Sequence, residues 1–403
     1  MKRTLVTFLT VALACTTALA APTKVTFWHA MNGSQKTVNA LIDAFNHSQP
    51  DFEVAPFVQP DYPTANTKLI AALRAHDEPV LFQAEIGFFP RLVDSGVLAD
   101  LTSLEKTLPS TFSSDFYPAL WNYGVFDGKR FGLPWNASTP VLFYNADLFK
   151  ARNVKAPTTW TEFAAAAKAL TTRGTKGMLA FADDWQFEQM VLSRGGKVVT
   201  DDGRPNFNSP EAVDALQFLQ DLVKRGEAIP RSLGEAQFGV LDFVRTKAAM
   251  VIASIANWTD IQPYSVVFKL GVAPLPKGTK NIVPIGGAEL VVLNSASPQA
   301  RQGAFAFWQF LMRPENLATW TKATYYVPPR RSALASLKDW YAENPYRKTA
   351  FEQFDQAVAR PRVAGYATWK DFLAEAIEKC IKDSNQSVKG ALDEAQRRAL
   401  ASR

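Results

Sequence analysis

Short apolar runs of strand character alternate with helix-patterned segments along almost the whole chain, and that alternation points to α/β domains. Lys24 to Trp28, Phe52 to Pro56 and Val80 to Ala84 read as the first strands. Between them, Val38, Leu41, Ile42 and Phe45 recur at helical spacing, and Thr67 to Ala75 reads as a second helix. Later helix starts carry explicit caps. Thr159 with Glu162 forms a capping box, and Ser209-Pro210 and Ser297-Pro298 each set a cap before a proline at the first helical position. Met250 to Ala253, Gly271 to Pro274 and Leu290 to Leu293 read as buried strands. A last long helix gathers Trp369, Phe372, Leu373, Ala376, Ile377 and Cys380 on one face. A chain of 403 residues exceeds the size at which one core stops growing, so two domains are expected. No low-complexity linker separates them, so the chain should cross between lobes through strands and short hinges.

The N-terminus reads as an export signal. Lys2 and Arg3 precede the apolar run Leu5 to Ala14, which is too short to span a membrane, and Ala18-Leu19-Ala20 offers small residues for cleavage. Residues 1–20 are therefore expected to be removed. Cys15 raises the alternative of a lipid-anchored form, but Leu13 stands one place too close to it for the usual lipobox. The remaining cysteine, Cys380, has no partner for a disulfide, so burial must hold the fold. The 47% hydrophobic and 12% aromatic content supplies the material for that.

Charge and missing motifs narrow the function. The formal charge of +6 is spread without a Lys/Arg run, which argues against nucleic acid. The histidines are His29, His47 and His76, and none joins a cluster with metal-ligand spacing. No G-x-S-x-G elbow, Walker loop or G-x-G-x-x-G is present. Neither a cofactor nor a metal is expected. Cys380 on an apolar helix stripe reads as a small buried hydrophobe and not as a nucleophile.

Phe27-Trp28-His29-Ala30-Met31, the run from Pro134 to Asn145, Ala146-Asp147-Leu148-Phe149, the segment Pro157 to Phe163, Ile285-Gly286-Gly287-Ala288 and Tyr326-Val327-Pro328 form an ordered set. Taken together they resemble the extracellular solute-binding proteins of ABC importers, in the maltose-binding-like class. Within the class they look most like the binders of sn-glycerol-3-phosphate and glycerophosphodiesters. Thiamine-cleaving enzymes share this two-lobed fold with a catalytic cysteine, a rival reading that would need a reactive Cys380.

The resemblance implies a type II fold, two α/β lobes with ligand enclosed between them. It places lobe one at 23–132 plus 272–312 and lobe two at 133–271 plus 313–403. The expected partners are a small-molecule ligand and membrane permease subunits, and a monomer is expected. The ligand is sn-glycerol-3-phosphate or a glycerophosphodiester such as glycerophosphocholine; an oligosaccharide is the alternative.

The resemblance also implies a binding set. Tyr62, in a loop before a helix, would donate its hydroxyl to a phosphate oxygen. Glu85, at a strand's carboxyl end where open α/β sheets place ligands, would accept polyol hydroxyls. Ser138 would contact ligand, and Gly287, beside Gly286, would offer backbone N–H unshielded by a Cβ. Tyr326 would stand in the cleft, and Arg362 would pair the phosphate with a planar donor fork; Arg360 lies two residues away. Trp185 keeps one aromatic wall and Phe187 is a candidate for the other, while Ser254 is the one hydroxyl left of a serine-rich turn. Trp28, Trp185 and Trp258 are the aromatic faces available to a choline head group.

Overall fold

The computed structural model describes residues 21–402, without the side chains of 233, 236–238, 264 and 265. The expected signal segment and Cys15 lie outside the described residues. Two five-stranded sheets organise the chain. The first runs Phe52–Val58, Thr23–His29, Leu81–Glu85, Gly286–Val292, Gly132–Ser138. Its first three strands are parallel, and Gly286–Val292 is antiparallel to both neighbours. The second runs Leu270–Ala273, Pro140–Asn145, Ala248–Ser254, Lys176–Ala182, Ala228–Ser232. There Pro140–Asn145 is the antiparallel strand between its two neighbours, and the last three are parallel.

Strand membership moves the expected lobe boundaries. Gly132–Ser138 belongs to the first sheet and Pro140–Asn145 to the second, so the chain crosses at Thr139 and not at 132. Leu270–Ala273 still pairs with Pro140–Asn145, so the return comes near Ile285 and not at Val272. Helices Pro298–Leu311 and Pro314–Thr324 both pack on the first lobe's core through Trp308, Leu317 and Trp320, so the second departure follows Thr324 and not Met312. The physical reason is plain. Gly132–Ser138 and Pro140–Asn145 are buried on both faces throughout, and a fully buried run carries no alternation to say which sheet it joins.

The helices follow their local signals. Ser209 Oγ accepts from the Ala212 N–H, Pro210 opens Pro210–Lys224, and Ala212, Ala215, Leu216, Leu219 and Leu222 face the core. Helix Tyr366–Lys382 buries Tyr366, Trp369, Leu373, Ala376, Ile377 and Cys380 against the second lobe. Each large aliphatic side chain so buried contributes about 1.5–3 kcal/mol. Helix Tyr62–Ala75 starts five residues before the expected Thr67, because Asp61 caps it by accepting from the Thr64 N–H and Pro63 suits the first turn. Tyr62 is thus the first helical residue and not a loop residue.

Candidate functional site

The first-sheet strand Leu81–Glu85 and the start of Gly286–Val292 face the second lobe across a cavity of about 320 Å³. Tyr62, Glu85, Ser138, Trp185, Ser254, Gly287 and Tyr326 all line it. Arg362 does not. Its Nη2 donates to the Val125 carbonyl, and its guanidinium lies over the Phe126 ring at 4.2 Å. The guanidinium in the cavity is that of Arg360. The two arginines flank Pro361 in an irregular segment, where residues two apart need not share a face, because the strand here ends at Val358.

A larger hollow of about 820 Å³ surrounds Trp160, Arg194 and Phe218 on the second lobe. Its Arg194 is spent on Asp214 at 2.6 Å, and it draws on one lobe only. The smaller cavity gathers polar groups from both lobes, which is the arrangement that can enclose a ligand.

The first-lobe wall is a hydrogen-bonded cluster. Tyr62 Oη accepts from Gln83 Nε2 at 3.2 Å and from Asn136 Nδ2 at 3.1 Å, and Gln83 Nε2 also donates to Asn136 Oδ1 at 2.9 Å. Tyr62 is hydrogen-bonded to Tyr326 as well, and burial raises both phenols, so both stay protonated. With the Tyr62 lone pairs filled by amide N–H groups, one hydroxyl proton of the pair is left for the cavity. Asn66, one turn along the helix from Tyr62, has a buried Oδ1 without a hydrogen-bond partner in the protein. Gly286 and Gly287 are required by close approach. A Cβ on Gly286 would stand 2.5 Å from the Trp185 ring and 2.8 Å from Ser138 Oγ. One on Gly287, whose φ is +112°, would stand 1.8 Å from the Asn136 carbonyl oxygen.

The second-lobe wall is charged. Arg360 is buried and pairs with Asp184 at 2.5 Å and Glu188 at 3.0 Å, with Glu85 of the first lobe 3.7 Å away. Lys370 reaches Glu85 Oε2 at 3.1 Å, and Glu85 Oε1 accepts from the Gly87 N–H at 2.8 Å. Burial pushes the Glu188 carboxyl up to about 7, against the pull of Arg360. Burial and the neighbouring Asp184 charge push Asp183 up to about 6. Trp185 Nε1 donates to the Ile285 carbonyl at 3.1 Å, which fixes its ring beside the glycines. Ser254 Oγ caps the turn that follows its strand by accepting from the Ala256 N–H at 3.2 Å.

Two aromatic expectations change. Phe187 is buried in the second lobe's core and supplies no wall. Trp258 is also buried, stacked on Tyr325 at 4.8 Å, so Trp185 is the tryptophan that lines the cavity. Asn66, Asp183, Asp184 and Lys370 escaped the sequence reading. Asp183-Asp184-Trp185 could have been found as an acidic helix start beside the aromatic; Asn66 and Lys370 carry no signal.

Among the described residues, no group of His, Cys, Asp and Glu is arranged to hold a metal ion, and no helix is long and apolar enough to cross a membrane. Cys380 is wholly buried, and desolvation pushes its thiol up to about 11, the opposite of an activated nucleophile.

Residues 40–349 match the family described as bacterial extracellular solute-binding protein. The chain is 29% identical over 357 residues to the sn-glycerol-3-phosphate-binding periplasmic protein UgpB of Yersinia pestis, covering 83% of this chain and 80% of that protein. It is 30% identical over 358 residues to the protein of the same name from Pectobacterium atrosepticum, with the same coverage of 83% and 80%. Its fold is similar to that of Mycobacterium tuberculosis UgpB in complex with glycerophosphocholine, with a TM-score of 0.85, 23% identity and coverage of 95% and 98%. It is also similar to the GacH receptor of Streptomyces glaucescens, with a TM-score of 0.83, 23% identity and coverage of 95% and 99%. The chain belongs to the bacterial extracellular solute-binding family and is a two-lobed, non-enzymatic substrate-binding protein of an ABC importer.

Proposed function

We propose that this protein captures sn-glycerol-3-phosphate or a glycerophosphodiester such as glycerophosphocholine between its lobes, outside the cytoplasmic membrane, and hands it to permease subunits. The observation that carries the reading is convergence. Tyr62, Glu85, Ser138, Trp185, Ser254, Gly287 and Tyr326, each expected from resemblance alone, line one cavity, and Arg360 supplies the guanidinium assigned to Arg362. The relatives named for sn-glycerol-3-phosphate support the ligand class. The chemistry agrees with it. Hydroxyl and glycine N–H donors suit phosphate oxygens, while Glu85 and Asn66 offer acceptors to glycerol hydroxyls. Asp183 and Asp184 beside Trp185 suit a cationic head group. An oligosaccharide is served less well, because about 320 Å³ lies at the small end of ligand pockets.

The test is a thermal-shift panel of polyol phosphates, glycerophosphodiesters, maltose and trehalose. A ligand at 100 times its Kd stabilises by about 2.7 kcal/mol when it binds only the folded state. Stabilisation by maltose or trehalose, with none by the glycerol phosphates, would overturn the reading.

A further inference from the structure

The two cations of the cavity are in different situations. Arg360 is buried and hemmed by protein acceptors: Nε faces Glu188 at 3.0 Å, and Nη2 faces Asp184 at 2.5 Å and the Tyr366 hydroxyl at 3.1 Å. Two carboxylates answer its single charge before any ligand arrives. Lys370 comes from the first turn and a half of helix Tyr366–Lys382 and lines the same cavity. Its ammonium spends one donor on Glu85 Oε2 at 3.1 Å. An ammonium carries three donors on a flexible stem, so two can turn to a ligand without breaking that pair. The fork of Arg360 cannot turn in this way without stranding Asp184 or Glu188, which leaves only Nη1, 3.7 Å from Glu85 Oε1, as its donor to the cavity.

We propose that Lys370 is a specificity-determining residue whose ammonium contacts the anionic group of the ligand and favours a phosphate monoester over a phosphodiester. This rests on the proposed ligand class. A monoester carries close to two negative charges near neutral pH and a diester carries one. The wall around Arg360 is already balanced or acidic through Asp183, Asp184 and Glu188, so its net charge does not favour a second negative charge. Lys370 supplies the difference. Its position on the opposite lobe from Glu85 also means that a phosphate held by Lys370 and hydroxyls held by Glu85 would be gripped from both sides.

Calorimetric titration of the wild type, K370Q and K370R with sn-glycerol-3-phosphate and with glycerophosphocholine tests this at one pH and one salt concentration. K370Q should lose tenfold or more in affinity for the monoester and less than threefold for the diester, and K370R should keep most of the monoester affinity. Equal losses for both ligands, or none, would overturn the proposal. The E85Q/K370Q double variant removes the stranded carboxylate. If monoester selectivity returns there, Lys370 acts only by neutralising Glu85, and direct contact is wrong. Wild-type protein that binds neither ligand overturns the ligand class and this inference together, whereas wild-type binding with unchanged selectivity in K370Q overturns this inference alone.

Discussion

Arg360 and Glu188 form an ion pair at 3.0 Å in which the two side chains are only 4% and 3% exposed. Removing one member of such a pair costs more than the pair contributes, because the other charge stays buried. Arg360→Ala should therefore destabilise the protein by about 3–5 kcal/mol, and its loss of ligand affinity alone would say little about contact. The triple change R360M/D184N/E188Q should recover most of that stability in urea unfolding. A single Arg360→Ala as stable as the wild type would mean that the pairing is wrong.

Arg362→Ala is the control for the Arg360 change. It loses a contact to the Val125 carbonyl and a cation–π contact over Phe126, so about 0.5–1 kcal/mol of stability is at stake. Ligand affinity should change less than twofold by calorimetry. A tenfold loss would return Arg362 to the site.

Glu289 makes the stability depend on pH in a defined direction. It is buried, its Oε2 has no hydrogen-bond partner, and desolvation pushes its carboxyl up to about 8, with Arg130 and Arg362 pulling the other way. The folded state holds this proton more tightly than the unfolded chain, whose carboxyl titrates near 4.5. Stability from this group is thus fully present below about 4.5 and is lost as pH rises through about 8. Glu289→Gln should gain on the wild type in melting temperature as pH goes from about 5 to 8.5. Parallel curves for the two proteins across that range would refute the assignment.

Gly287→Ala probes the other wall. A Cβ there meets the Asn136 carbonyl oxygen at 1.8 Å, and φ is +112°, so the backbone must move and non-glycine strain of about 1–3 kcal/mol comes on top. The strand that presents Gly287 also pairs with Leu81–Glu85, so the shift should reach Glu85. The expected result is a lowered melting temperature together with weakened ligand binding. Full affinity in a folded variant would show that Gly287 does not shape the cavity.

The strand and helix alternation was legible because each signal is local. Ser209, Ser297 and Thr159 cap the helices they were expected to cap, and Leu81–Glu85 begins one residue from the expected start. What was not legible depends on distant partners. The short helices Thr102–Glu105, Ser110–Ser114 and Pro118–Trp121 are too brief for periodicity to register. The choice between Arg360 and Arg362 is decided by carboxylates, Asp184 and Glu188, that lie more than 170 residues away. The pairing of Lys370 with Glu85 spans 285 residues, and nothing near Lys370 announces it.

Closure itself can be measured. Across the cleft, Lys370 and Arg360 of the second lobe meet Glu85 of the first, and Arg362 rests on Val125 and Phe126. The Lys370–Glu85 pair has side chains 22% and 15% accessible, so salt reaches it in part and weakens it. Parting of the ligand-free lobes breaks these contacts. Ligand held by Tyr326, Ser138 and Gly287 on one side and by Trp185 and Lys370 on the other adds differential affinity for the closed form, which is what shifts such an equilibrium. Solution scattering should therefore show a smaller radius of gyration at saturating sn-glycerol-3-phosphate than without it. Raising salt should enlarge the ligand-free protein more than the saturated one. Superimposable curves at demonstrated saturation would mean that the cleft does not close on its ligand.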